Sequence, residues 1–287
     1  MARTTSSTHF VFRDQAAGEP LRVLIFGPHP DDADFKAAGV TALYTRLGHQ
    51  VKIVSVTNGN AGHHAMGGAP LAQRRRQEAA AAGKVLGAEY ITLDNDDCVL
   101  MPTLEIRHQL VRIIREVKPD LVMTPRPNDY HPDHRNTSIL VQDAVCMGSV
   151  PNLISGVPYL DYTPTVVYLW DDFQKPYRFI PDVVVAIDEV IEQKVDALAC
   201  HECQMFEFLP YIRRYIDQVP KGPAERRAWL RQWLETLLVQ VADLYRDKLI
   251  ERYGEKKGRQ VRYAEAFEAC EYGARLTPDL AKRLFPF

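Results

Sequence analysis

Two short clusters of histidine and aspartate carry the chemistry legible in this chain. They are His29-Pro30-Asp31-Asp32 and, far downstream, His131-Pro132-Asp133-His134. Together they offer three imidazoles and several carboxylates. That is the donor set of a catalytic zinc site, in which three protein ligands leave one position open for water. A rigid proline inside each cluster, Pro30 and Pro132, fixes the local turn and holds the flanking side chains apart. Asp31 and Asp32 are adjacent and cannot easily both chelate one ion from a tight turn. One of them reads as a ligand and the other as a base beside the attacking water.

For this chemistry to operate, the fold must bring the clusters together. Short apolar runs at residues 21–26, 51–56, 89–93, 120–124, 165–170 and 182–187 read as buried strands. Segments of helical composition lie between them: 33–47 stopping at Gly48, 71–86 stopping at Gly87, and 104–117 stopping before Lys118-Pro119. Strands alternating with helices imply parallel pairing with helices on both faces, so the expected class is a doubly wound, mainly parallel, Rossmann-like α/β sheet. The first strand runs into the first cluster. The fourth runs through Asn128, Asp129 and Tyr130 into the second. In a doubly wound sheet strands one and four lie side by side, and ligands bind beyond their carboxyl ends at the switch point. The two clusters are therefore expected to face one crevice.

The last third reads differently. Residues 188–209 turn helical with Asp188 as an N-cap, a loop carries Pro220, Gly222 and Pro223, and 224–253 form one or two helices. With no linker to mark a boundary, residues 1–287 read as a single domain: a core over about 20–204 and a helical addition over about 205–287 that offers a surface for homo-oligomer formation. The 287 residues carry 35 basic and 37 acidic side chains, a net charge of −2, which argues against a nucleic-acid partner. No apolar run spans a bilayer, residues 1–8 lack the hydrophobic stretch of a secretory signal, and five cysteines do not make a disulfide framework. The reading is a soluble, cytoplasmic protein acting on a small molecule.

The paired tetrads resemble the PIG-L/LmbE-like family of zinc deacetylases. These include N-acetylglucosaminylphosphatidylinositol de-N-acetylases and the deacetylases of mycothiol and bacillithiol metabolism. Thr57-Asn58-Gly59, Arg75-x-x-Glu78, Lys194 and His201-x-x-Gln204 also match, so the resemblance covers roughly residues 21–204. It implies His29, Asp32 and His134 as zinc ligands and Asp31 as the general base. His131 would stabilise the oxyanion or protonate the leaving amine, with Asp133 orienting its ring. Substrate contacts would come from Arg75, Asp97, Tyr130, Lys194 and His201. The chain departs from the family pattern at Pro28, where a small residue is usual, and at Tyr130, where glycine is common. The implied activity is hydrolysis of a linear amide: removal of an N-acetyl group from an N-acetylglucosamine-type sugar or conjugate. The donor set also accepts Fe2+. The alternative on the same fold is a zinc-dependent hydratase of an unsaturated dicarboxylic acid, which would call for cations such as Arg75, Arg126 and Lys194 in the pocket.

Other features have plainer readings. Gly27 is not followed by the G-x-G-x-x-G of a dinucleotide fold, and the acids of the first cluster sit where a pyrophosphate would. Cys200-x-x-Cys203 lacks a second cysteine pair and lies in a helical pattern, so it reads as two helix cysteines and not a redox or metal motif. His63-His64, in a glycine-rich loop after the second strand, fit either substrate gating or a plain surface loop. Arg74 and Arg76 read as a solvated helix face, and Trp229 and Trp233, four apart, as a packing face. Residues 148–163, with Tyr159 and Tyr162, are expected to rim the crevice.

Overall fold

The computed structural model describes residue 13 and residues 18–287; the signal reading of residues 1–8 lies outside the described residues. In chain order the elements are β1 (Arg22–Gly27), α1 (Asp32–Arg46), β2 (Gln50–Thr57), α2 (Gly68–Leu86), β3 (Glu89–Asn95), α3 (Leu104–Val117), β4 (Leu121–Thr124), α4 (Pro132–Met147), β5 (Thr165–Leu169), β6 (Val183–Ala186), α5 (Ile191–Ala199), α6 (Leu209–Ile212), α7 (Pro223–Leu244), α8 (Arg246–Tyr253), α9 (Glu255–Gln260), β7 (Ala264–Cys270) and α10 (Pro278–Leu284). A π-helical turn over Cys203–Phe208 joins the α5 region to α6.

The interior strands are apolar on both faces because both faces are covered. In β1, Val23 and Ile25 point into a layer containing Ala37, Leu43 and Tyr44 of α1, Leu86 of α2 and Leu198 of α5. Leu24 and Phe26 point the other way, toward Leu110 and Ile114 of α3 and Leu140 and Val141 of α4. The sheet order is β3-β2-β1-β4-β5-β7-β6. Strands β1 to β5 are parallel, and β1 pairs with both β2 and β4, with Val23 opposite Val51 and Leu121. The strand order reverses between β1 and β4, so the switch point lies where the doubly wound reading puts it.

The C-terminal third is not purely helical. Residues 264–270 (AEAFEAC) form β7, inserted antiparallel between β5 and β6. Alanine and glutamate favour helix, and no turn signal marks the segment, so tertiary context overrides propensity. The alanines allow close approach of the flanking layers, while Glu265 finds internal partners. Its carboxylate accepts from Gly39 N (2.9 Å), Val40 N (2.8 Å) and Lys194 Nζ (2.6 Å). Helix α7 contributes Leu230, Leu234 and Leu238 to the first layer and Val241 and Ala242 to the second. Residues 205–287 are thus woven into the sheet. Trp229 and Trp233 pack against the first layer, as their spacing suggests.

Two local expectations change. Asp188 does not cap a helix; its carboxylate accepts from Arg262 N (2.9 Å) and Tyr263 N (3.4 Å), holding the approach to β7. Residues 148–163 connect α4 to the start of β5, at the amino ends of the strands and away from the switch-point crevice. Tyr162 is buried there, its hydroxyl donating to Pro119 O at 3.1 Å, and Arg115 holds the segment through Gly148, Ile154 and Val157 carbonyls. It does not rim the site.

The Lys194–Glu265 pair predicts a stability effect. Its side chains are 0% and 2% exposed, so removing one partner strands the other charge in the core. Lys194→Met should lower unfolding stability by about 3–5 kcal/mol, with partial recovery in Lys194→Met/Glu265→Gln, as read by denaturant titration.

Candidate active site

The first cluster turns off the end of β1. His29 O accepts from Asp31 N (2.9 Å) and Asp32 N (3.3 Å), and α1 then begins at Asp32. Asp31 sits at φ 153°, ψ −28°, a backbone conformation that non-glycine residues rarely adopt. The second cluster is the start of α4, an element that the apolar patterning does not single out. His131 is the N-cap, with Nδ1 accepting from Asp133 N at 3.2 Å, and Pro132 occupies the first turn, where its missing N–H costs nothing. Asp133 and His134 therefore project from a rigid helical turn beside β1.

The clusters meet. Asp32 Oδ2 lies 2.9 Å from His29 Nδ1 and 3.3 Å from His134 Nε2. Ligand atoms bound at about 2.0–2.2 Å around one tetrahedral ion are separated by about 3.4 Å, so this spacing fits a metal. The far ring nitrogens face carboxylates. His29 Nε2 is 2.9 Å from Asp97 Oδ1 and 3.2 Å from Asp133 Oδ2, and His134 Nδ1 is 3.1 Å from Asp129 Oδ2. Such partners fix the N–H on the far nitrogen and turn the lone pair of the near one inward. His134 Nε2 is buried without a hydrogen bond, an orphan that a metal would satisfy. The donors of His29, His131 and His134 converge within 4.8 Å, as do those of His29, Asp97 and Asp133.

The electrostatics match a site built for a cation. Burial alone would lower the His29 pKa, yet hydrogen bonds to Asp133, Asp32 and Asp97 raise it well above the ordinary value. His134 rises to about 9, burial being outweighed by Asp32 and Asp129. Burial would raise Asp32, but the His134 and His29 charges hold it well below the usual range. Asp31 goes the other way. Burial pushes it up to about 6, with the Arg75 guanidinium opposing. His131 is lowered by burial and by the neighbouring His29 and His134.

Arg75, from α2, is buried and donates to Asp31 Oδ1 (2.8 Å), Pro30 O (3.2 Å) and Gly59 O (3.4 Å). A glycine at 59 is required twice over: φ is +69°, and a Cβ there would lie 2.5 Å from Arg75 Nη1. Arg75 thus holds the Asp31 carboxylate and is not free to contact substrate.

Several other expected roles change with the geometry. Asp133 does not reach the His131 ring with its carboxylate, which instead accepts from Cys98 N (2.7 Å) and Leu100 N (3.2 Å) and faces His29. Asp133 orients His131 through its main-chain N–H, because the helix start turns its side chain toward the β3–α3 connection. Asp97 is a partner of His29 and lies 3.8 Å from Arg75, not a substrate contact. His201 is wholly buried against Asp34 Oδ2 (2.7 Å), and Lys194 against Glu265; neither lines the crevice. Tyr130 does: it is 67% exposed, with its ring 5.1 Å from that of His134 and 5.7 Å from that of His131. Asp129, the carboxylate behind His134, has no role that its residue type and spacing announce. Its place just ahead of a Pro-initiated helix start was the available signal. Cys200 and Cys203 are not bonded to each other, and Cys203 Sγ lies 2.9 Å from Glu78 Oε2.

No helix among the described residues is long and apolar enough to cross a membrane. The chain is 32% identical over 208 residues to diacetylchitobiose deacetylase of Thermococcus kodakarensis, covering 67% of this chain and 75% of that protein. It is 26% identical over 186 residues to 4-oxalmesaconate hydratase of Pseudomonas putida, covering 62% and 71%. The solved structure of N,N'-diacetylchitobiose deacetylase from Pyrococcus horikoshii superposes with a TM-score of 0.65 at 26% identity, over 92% of this chain and 86% of that one. Residues 24–145, which contain both tetrads, match the model of the PIG-L family, GlcNAc-PI de-N-acetylase. By sequence, by fold and by the residues at the switch point, the chain belongs to the PIG-L family of de-N-acetylases.

Proposed function

We propose that the protein is a zinc-dependent hydrolase that removes an N-acetyl group from a small amino sugar or sugar conjugate. The observation that carries this reading is the convergence of His29 Nδ1 and His134 Nε2 on one Asp32 oxygen, with the Asp31 carboxylate one residue away. His29, Asp32 and His134 would hold the ion, which when bound supplies a Lewis acid for the acyl oxygen and lowers the pKa of water.

The remaining work falls to the chain. Asp31 accepts the proton of the attacking water, and its elevated pKa makes it basic enough to take that proton near neutral pH. Arg75 keeps the carboxylate aimed while leaving its second oxygen free of that bond. His131 Nδ1 accepts from the Asp133 main chain, so the neutral ring carries its hydrogen on Nε2. That N–H donates to the acyl oxygen as negative charge develops, and the departing nitrogen takes from Asp31 the proton that Asp31 received from the attacking water. Tyr130 walls the crevice mouth beside both histidines and meets the face of a bound sugar.

The hydratase alternative asks for cations to hold two substrate carboxylates. Lys36 lines the crevice beside Asp32, Asp129 and His134, but Arg75, Arg126 and Lys194 are each occupied: Arg75 by Asp31, Arg126 by Asp171 at 2.8 Å, and Lys194 by Glu265. Freeing any of them would leave a buried carboxylate unpaired. This favours the neutral, amide-bearing substrate.

Primary-amine release from N-acetylated sugars by the zinc-reconstituted protein is the direct test. Asp31→Ala should reduce turnover by about 10²–10⁴-fold, and a chelator should abolish it. Undiminished hydrolysis in Asp31→Ala would remove Asp31 from the mechanism. Asp129→Asn should weaken zinc binding about 10–100-fold in competition with a chromogenic chelator, since it breaks the carboxylate behind His134. Equal affinity of variant and parent would leave Asp129 no part in orienting that ligand.

A further inference from the structure

A recess of about 260 Å³ opens beside the two clusters. Asp32 and His134 form part of its wall, and the buried side chains of Pro28, Leu169 and Trp170 form another part. Exposed Tyr130 stands outside this wall, at the mouth. An amide held at Asp32 and His134 would therefore keep its sugar at the mouth and turn its acyl group into the recess.

Lys36 enters the same recess from α1, one turn after Asp32. Its amine lies 5.2 Å from the centre of the Trp170 ring, and that ring is itself held, its indole N–H donating to the Tyr245 hydroxyl at 3.2 Å. Among the described residues Lys36 forms no ion pair and donates no hydrogen bond. The carboxylates around it are engaged elsewhere: Asp32 with His29 and His134, Asp129 with His134, and Asp171 with Arg126. Burial lowers the Lys36 pKa although Asp129, Asp171 and Asp32 pull it upward. An acetyl methyl needs only the apolar wall, and an ammonium kept from water without a partner is costly.

We propose that the recess also accepts a short acyl group that ends in a carboxylate, malonyl being the simplest, and that Lys36 selects it. The proposal rests on the amide-hydrolase reading for the reaction itself. One free cation serves one carboxylate, whereas the hydratase alternative needs cations for two. A charge-assisted hydrogen bond to Lys36 in this walled site is stronger than a neutral one. The bonds made and broken are those of deacetylation. The water oxygen bonds to the acyl carbon, the C–N bond breaks, and the nitrogen leaves as a primary amine with a proton from that water. The other product is malonate, its outer carboxylate unchanged and paired with Lys36.

The test is amine release by the zinc-reconstituted protein from glucosamine carrying a malonyl, an acetyl or an isovaleryl group, the last being the neutral isostere of malonyl. The kcat/KM for malonyl should exceed that for isovaleryl by about 10–100-fold. Lys36→Met should erase that ratio, and Lys36→Arg should keep most of it. Isovaleryl matching malonyl in the parent protein would overturn the proposal, and this comparison stands whether or not a variant folds. A malonyl preference that survives in folded Lys36→Met would overturn it as well. Calorimetric titration with malonate runs alongside and should show about tenfold weaker binding in Lys36→Met. If no amide is hydrolysed but malonate binding depends on Lys36, the deacetylase reading falls and the carboxylate site stands. If the acetyl compound is hydrolysed and the malonyl compound is not, the site falls and the deacetylase reading stands.

Discussion

One carboxylate oxygen organises this protein. Asp32 Oδ2 stands between His29 Nδ1 and His134 Nε2, and His29 and His134 are more than a hundred residues apart in the chain. Only a sheet that starts at its centre and then reverses can deliver that meeting, since β1 and β4 must be neighbours with their carboxyl ends level. Both segments are kept short and stiff, one by the turn at Pro30 and the other by the Pro132 helix start.

Around that oxygen the fold gathers five carboxylates, Asp31, Asp32, Asp97, Asp129 and Asp133, of which four are buried and Asp32 nearly so. Burying so many acids is unfavourable unless positive charge is supplied. Arg75 supplies some of it, and the rest falls to protons on His29 and His134, whose raised pKa values measure the demand. A divalent ion held between these groups would meet that demand better, because the imidazoles could then be neutral. Asp31 differs: burial outweighs the opposing charges of Arg75, His201 and His29, and its pKa rises to about 6.

The rest of the molecule braces these groups. Glu265 on β7 receives two amide hydrogens from α1 and the ammonium of Lys194 on α5, so the helix that begins at Asp32 is tied to the far end of the chain. Behind the site, His201 and Asp34 form a wholly buried pair one turn below Asp31. Residues that look like substrate contacts on family spacing alone thus belong to the frame that holds the two His/Asp clusters in place.

The sequence by itself determined the parallel core and the two tetrads, because apolar runs buried on both faces and His/Asp clusters at strand ends are local signals. From these the adjacency of β1 and β4 followed by topology. Tertiary structure alone decided what depends on long-range partners. Strand β7 is written in helix-forming alanine and glutamate and becomes a strand only because β5 and β6 leave a buried slot for it. Residues 148–163 carry rim-like tyrosines but emerge at the amino ends of the strands, since an α-to-β connection in a parallel sheet must return there. Asp97, Asp129, Asp133 and Arg75 take roles that spacing cannot encode. Whether a buried acid binds substrate, aims an imidazole or balances a guanidinium depends on a partner that folding brings within 3 Å or so.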